Sequence, residues 1–123
     1  MVVGFAAAGV ALVMVATACF AAGDAKAGQK TFVLCAACHT AEKNKNMAGP
    51  SLFGIVGRKA AVAPGYVYSP ALERAGKDGV VWNEATLDHW LLNSKKVDGV
   101  IHVMRLLDEK KRQDLIAYLK TLK

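Results

Sequence analysis

The chain has 123 residues, which is the size of a single domain. Sixteen Lys and Arg against ten Asp and Glu give a net charge of +6, which favours a partner with an acidic face. The basic residues are mostly Lys, they are scattered, and no nucleic-acid-binding module is recognisable, so we exclude nucleic acid as the partner.

The first 22 residues differ from the rest of the chain. They carry no charge, are almost entirely apolar or small, and end in Ala21 and Ala22. This pattern predicts a secretory signal peptide over residues 1–22, cleaved after Ala21 or Ala22, with residues 23–123 as one domain in the periplasm. An uncleaved membrane anchor is the main alternative, because the segment is long enough to cross a bilayer. Lipid attachment at Cys19 is a weaker one.

The remaining chain predicts three to four short helices and no convincing strand. Side chains that cap helices precede four helical patterns: Asp24 before residues 25–34, Ser69 before a helix from Pro70 to near Gly76, Asn83 before residues 84–93, and Asp108 before the last helix. The loops between these helices are long for so small a domain, which indicates that they line a cofactor. The predicted fold is therefore all-α.

The first of these helices leads into Cys35-Ala36-Ala37-Cys38-His39, which is the C-x-x-C-H attachment signature of a c-type haem. Each thiol can add to one vinyl group of a porphyrin, and His39 then places an imidazole on one face of the iron. A redox disulfide is the alternative, but it predicts a βαβ context that this chain lacks. A tetrahedral zinc site needs four ligands, and there is no second pair of cysteines.

The second axial ligand of such a haem has four candidates after the motif, namely Met47, His89, His102 and Met104. Met47 is too close to His39 in sequence, and His89 lies on the polar side of its helix. We expect Met104 to be the ligand, because it lies in an irregular segment that can fold over the far face of the haem. His102 and an open site are the alternatives.

Five stretches together resemble the class I cytochromes c of mitochondria and the bacterial periplasm, over residues 23–123. They are Cys35 to Thr40, Gly49 to Lys59, Gly65 to Ala71, Val81 to Leu87, and Arg112 to Lys120. The resemblance implies the small cytochrome c fold wrapped around one haem c, attached through Cys35 and Cys38, with His39 and Met104 as the iron ligands.

The resemblance also implies roles for other residues. Pro50 would accept a hydrogen bond from the ring of His39, and Arg58, Tyr68 and Trp82 would hold the buried propionate. Trp90 would lie near the Met ligand. Gly28 and Phe32 on the first helix would meet Leu115 and Tyr118 on the last helix, where the two terminal helices cross.

The segment from Asp98 to Leu107 departs from the family pattern, because Met104 is two places further from the glycine and the stretch to the last helix is shorter. We therefore expect a weaker or exchangeable bond between iron and the Met sulfur.

The function expected from this resemblance is electron transfer without catalysis, by a monomeric periplasmic carrier. The implied partners are redox proteins with acidic docking faces, such as quinol–cytochrome c reductase, an oxidase, a reaction centre or a dehydrogenase. Membrane contact would come only through such partners, unless residues 1–22 remain as an anchor. The candidate docking lysines are Lys43, Lys45, Lys59, Lys95 and Lys96. Two other functions stay open: a haem-based binder or sensor of small ligands, and the electron-accepting subunit of a periplasmic dehydrogenase.

Overall fold

The computed structural model describes residues 22–94 and 102–123, and these ranges contain four α-helices and no β-strand. The helices are α1 (Ala25–Phe32), α2 (Pro70–Lys77), α3 (Glu84–Asn93) and α4 (Glu109–Leu119). The prediction of an all-α fold is confirmed. Within the described ranges no helix is both long and apolar enough to cross a membrane. The predicted signal peptide, except Ala22, lies outside these ranges, as do Lys95 and Lys96.

Every helix begins at the capping residue that the sequence predicts. In each case a side-chain oxygen of the capping residue accepts a hydrogen bond from a backbone amide two or three residues further along. The distances are 2.8 Å from Lys26 to Asp24 Oδ1, 3.3 Å from Leu72 to Ser69 Oγ, 2.8 Å from Thr86 to Asn83 Oδ1 and 3.0 Å from Lys111 to Asp108 Oδ1. Each such bond satisfies an amide that has no partner within the helix, which stabilises the helix by about 1 kcal/mol.

One helix end differs from the prediction. Helix α1 ends at Phe32 rather than Leu34, because the chain tightens into successive turns in which the Cys35 amide donates to the Phe32 carbonyl at 2.8 Å. Helix α2 continues through Gly76 to Lys77. Gly76 is needed there for close packing, since a Cβ atom on it would lie 2.5 Å from the carbonyl oxygen of Ala60.

The predicted crossing of the terminal helices α1 and α4 is present. A Cβ atom on Gly28 would lie 1.8 Å from the carbonyl oxygen of Asp114, so only glycine permits this approach. One turn further along α1, the ring of Phe32 packs on that of Tyr118 with centroids 5.3 Å apart. The glycine inside α1 is thus explained by the partner helix.

The apolar core joins this crossing to α3 and to the chain that precedes α4. Its buried members are Phe32, Ile55, Leu87, Leu91, Leu106, Leu115, Ile116 and Leu119. Cys35 and Trp82 pack against the same cluster. The core therefore supports the cysteine motif and the residues that follow α2.

Candidate functional site

The ring of His39 is held from two sides. Its Nδ1 lies 2.7 Å from the carbonyl oxygen of Pro50. Because a carbonyl can only accept, Nδ1 carries the proton, and Nε2 keeps its lone pair for a metal. A Cβ atom on Gly49 would lie 2.3 Å from Cε1 of the same ring. The Gly49–Pro50 pair therefore orients the ring, by close contact and by one hydrogen bond.

The cysteine motif forms a compact turn. The amides of Cys38 and His39 both donate to the carbonyl of Cys35, at 3.1 and 2.9 Å. The two thiols are free, which disfavours the disulfide alternative. Cys35 is half-buried and Cys38 is exposed, and burial raises the pKa of the Cys35 thiol. The turn thus presents two unlinked thiols next to an oriented imidazole.

The loop that carries Gly49 and Pro50 is fixed by side chains that sequence reasoning missed. Asn46 donates through Nδ2 to the Pro64 carbonyl at 2.8 Å and accepts from the Ser51 amide at 2.9 Å. The Tyr66 hydroxyl donates to the carbonyl of Ala48 at 2.9 Å. No sequence pattern marks these bonds, because polar residues in a surface loop are usually solvated. They hold the loop over His39 in the absence of secondary structure.

Arg58 lies at a second side of the site. Its guanidinium donates to the carbonyls of Ser51 and Phe53 at 3.0 and 3.1 Å, while its buried Nε has no partner in the protein. Burial lowers the pKa of Arg58, and the electrostatic interaction with Tyr68 opposes this. The Trp82 amide donates to the Arg58 carbonyl at 2.8 Å. The structure therefore brings together the three residues that were expected to hold a propionate, and leaves one donor open for a carboxylate.

A row of aromatic rings leads from Trp82 across the site to His39. Trp82 and Trp90 pack edge to face with centroids 5.2 Å apart, and Trp90 lies 5.1 Å from the ring of His102. The rings of His102 and His39 have centroids 6.4 Å apart. Burial lowers the pKa of His102, as does the charge of His39, while an interaction with the Met104 backbone raises it.

The four candidates for the second ligand lie in different surroundings. Met47 and His89 are exposed, whereas His102 and Met104 are half-buried. His102 Nδ1 is a buried atom without a partner in the protein. The ligation of iron by Met104 stays a prediction.

These groups fit a covalently attached haem. Two free thiols are available for attachment and one oriented imidazole for ligation. Gly49 leaves the space for the imidazole, and two buried nitrogens, Arg58 Nε and His102 Nδ1, lack protein partners. Within the described ranges no group of three or more His, Cys, Asp and Glu residues is suited to hold a bare metal ion. The site is therefore that of a c-type haem protein.

Comparison with known proteins identifies the family. The sequence model of the family described as cytochrome c matches residues 25–123. A cytochrome c2 of Rhodopseudomonas palustris is 41% identical over 117 residues, covering 83% of each chain. A cytochrome c of Euglena viridis is 42% identical over 104 residues, covering 82% of this chain and 99% of the relative. This chain belongs to the cytochrome c family.

Solved structures agree with this assignment. The ferricytochrome c2 of Rhodopseudomonas palustris is similar with a TM-score of 0.74 and 38% identity, covering 81% of this chain and 99% of that one. Cytochrome cH of Methylobacterium extorquens is similar with a TM-score of 0.72 and 48% identity, covering 80% and 99%.

Family membership gives the cofactor and the general activity. The chain is a monohaem electron-transfer cytochrome, not an enzyme, and its haem c is attached through Cys35 and Cys38. The bound haem supplies reversible one-electron reduction at iron. Among the protein's own residues, Pro50 orients the ring of His39, and Arg58 Nε would be available to a carboxylate of the bound group.

Proposed function

We propose that this cytochrome is a monomeric periplasmic carrier that moves electrons from a respiratory or photosynthetic donor complex to an acceptor. Three observations support the proposal. Relatives of high coverage are named cytochrome c2, the net charge is +6, and residues 1–22 have the composition of a secretory signal. The carrier docks on partners with acidic faces, such as quinol–cytochrome c reductase, an oxidase, a reaction centre or a dehydrogenase.

The observation that carries this proposal is the exposure of Cys38 together with the positive charge around the site. Cys38 holds one edge of the haem and is open to solvent, which provides a short route for an electron. Lys43, Lys45 and Lys59 are exposed on the loops that surround the site. Lys45 is paired with Glu42 at 3.0 Å, so of these three lysines Lys43 and Lys59 contribute more to attraction at a distance.

The salt dependence of electron transfer tests the proposal. We expect the bimolecular rate with purified quinol–cytochrome c reductase to fall at least about tenfold between low and physiological ionic strength, because screening removes electrostatic steering. The substitutions Lys43→Glu and Lys59→Glu should each slow the reaction severalfold at low salt. Lys111→Glu makes the same charge change on α4, outside the loops that carry the proposed docking lysines, and should have a smaller effect. A rate that does not depend on salt would contradict the proposal, as would equal effects of all three substitutions.

A further inference from the structure

The chain before α4 is extended, and its side chains alternate between the interior and solvent. His102 and Met104 are half-buried and Leu106 is buried, whereas Val103 is 90% exposed and Arg105 is exposed. This is the period of two that an extended backbone produces. His102 and Met104 therefore both face inward, but at positions about 7 Å apart along the chain.

Hydrogen bonds to the end of α3 determine which of the two faces the haem site. The Ser94 hydroxyl, on a residue only 1% exposed, donates to the His102 carbonyl at 2.9 Å. The Leu106 amide donates to the Leu91 carbonyl at 2.8 Å. To place Met104 where His102 lies, the segment would have to slide by two residues. That shift would break both bonds and withdraw Leu106 from the core.

The separation of the two histidine rings matches a pair of ligands on opposite faces of one iron. Metal–imidazole bonds in proteins are about 2 Å long, as for zinc, and the centre of the ring lies about 1 Å beyond the bound nitrogen. Two imidazoles on opposite sides of one metal therefore have ring centres about 6 Å apart. The rings of His39 and His102 have centroids 6.4 Å apart. Trp90 packs against His102 at 5.1 Å and supports its ring.

We propose that His102, rather than Met104, is the second axial ligand, so that the haem of this cytochrome is bis-histidine. The two anchors of residues 102–106 on α3 bring an imidazole to the place where a Met sulfur was expected. Imidazole in place of thioether lowers the reduction potential, because Met ligation is what raises it in cytochromes c. The proposal goes beyond electron transport, since it holds whichever partner the carrier serves.

The holoprotein tests this without mutation. We expect the ferric form to be low-spin and to lack the Met-to-iron charge-transfer band, and the ferrous form not to bind carbon monoxide, since both axial positions are filled. A clear Met-to-iron band in the ferric protein would overturn the proposal. Carbon monoxide binding to the unmodified ferrous protein at stoichiometric levels would overturn it too. Neither measurement involves a partner, so failure here is distinct from failure of the proposed docking function.

Three substitutions assign the ligand by residue. Met104→Leu, the matched control, should leave the spectrum and the potential unchanged. His102→Ala should open the site, so that the ferrous protein binds carbon monoxide completely where the parent does not. His102→Met should create the missing charge-transfer band and raise the potential. If Met104→Leu opens the site instead, the proposal is wrong. If His102→Ala does not fold, the optical result on the unmodified protein decides.

Discussion

At the scale of single residues, two buried nitrogen atoms of the site have no hydrogen-bond partner in the protein and would find one only in a bound cofactor. A buried polar group without a partner costs about 1–3 kcal/mol, yet Arg58 Nε and His102 Nδ1 are both in that state in the protein alone. Gly49 contributes by having no side chain, because a Cβ atom there would collide with the ring of His39. Arg58 Nε and His102 Nδ1 thus indicate where the bound haem would meet polar groups of the protein, and Gly49 sets the position of the imidazole.

Replacing Gly49 with alanine should disturb the proximal ligand. The new methyl group would lie 2.3 Å from His39 Cε1, so the ring must move and its hydrogen bond to Pro50 must lengthen. We expect a loss of about 1–3 kcal/mol in unfolding free energy, as for other overpacked sites, and a changed haem spectrum with easier binding of cyanide.

Gly79→Ala is the control for this substitution. Gly79 has a φ of +85°, and no atom lies within 4 Å of the place that a Cβ atom would take. Alanine there costs about 1–2 kcal/mol of backbone strain without touching the haem. Denaturant unfolding and optical titration of both variants provide the comparison. An unaltered spectrum and unaltered cyanide affinity in Gly49→Ala would refute the assigned role.

At the scale of elements, two charged residues of α4 join the helices together. Arg112 is buried, donates to Asp88 of α3 at 2.7 Å, and also donates to the carbonyls of Leu106 and Leu107. Asp114 accepts from the Asp24 amide at 2.8 Å and from Lys110 Nζ at 2.8 Å, which ties the start of α1 to α4. Neither role follows from helical periodicity, which places charged residues in solvent.

The Asp114 contacts predict how stability depends on acid. The hydrogen bond from Lys110, and next that from the Asp24 amide, lower the pKa of Asp114 below its ordinary 3.8. As the pH falls, Asp114 therefore becomes protonated in the unfolded chain before it does in the folded one. Its contacts contribute fully to stability above the pKa of the unfolded chain, and this contribution is lost as the pH falls through the lowered pKa of the folded chain. Asp114→Asn should therefore reduce stability at neutral pH, and its difference from the parent should shrink in acid.

Thermal unfolding of the holoprotein between pH 7 and pH 2, a range of about five units around the ordinary Asp pKa, measures this difference. Asp78→Asn at the exposed C-cap of α2 is a suitable control, with a difference that stays small throughout. A gap between Asp114→Asn and the parent that widens as the pH falls would contradict the prediction.

At the scale of the whole molecule, the protein alone has little apolar core. Of the eleven buried apolar residues in the described ranges, three are alanines, at positions 60, 63 and 71. Between Phe32 and Pro70 the chain has neither helix nor strand. So small a domain is marginal on its own. A covalently held porphyrin adds the apolar surface that the loops would otherwise lack.

Removing the points of attachment should therefore unfold the protein. The double variant Cys35→Ser, Cys38→Ser should lose most of its helical circular dichroism and its cooperative melting. Cys38→Ser alone keeps one thioether and should retain a folded, less stable holoprotein. If the double variant melts as cooperatively as the parent without haem, the haem is not needed as part of the core.

Much of the fold and half of the site follow from local sequence. The caps Asp24, Ser69, Asn83 and Asp108 act on amides two or three residues away, so they locate the helices without any tertiary information. The haem motif is equally local. The contact between Gly49 and His39, and the Asn46 bonds that support it, join residues through a loop whose path no periodicity describes.

The four helices, the haem attachment at Cys35 and Cys38, and the first ligand His39 can all be read from the chain alone, because each rests on residues that are neighbours in sequence. The surroundings of the other face depend on how distant parts of the chain pack. There the sequence favoured Met104, by resemblance and by the softness of its sulfur. The anchoring of residues 102–106 on α3 by Ser94 and Leu91 instead faces His102 towards His39. In an extended segment, a shift of two residues preserves the inward pattern yet changes which side chain reaches the site, and only contacts with another element select between them.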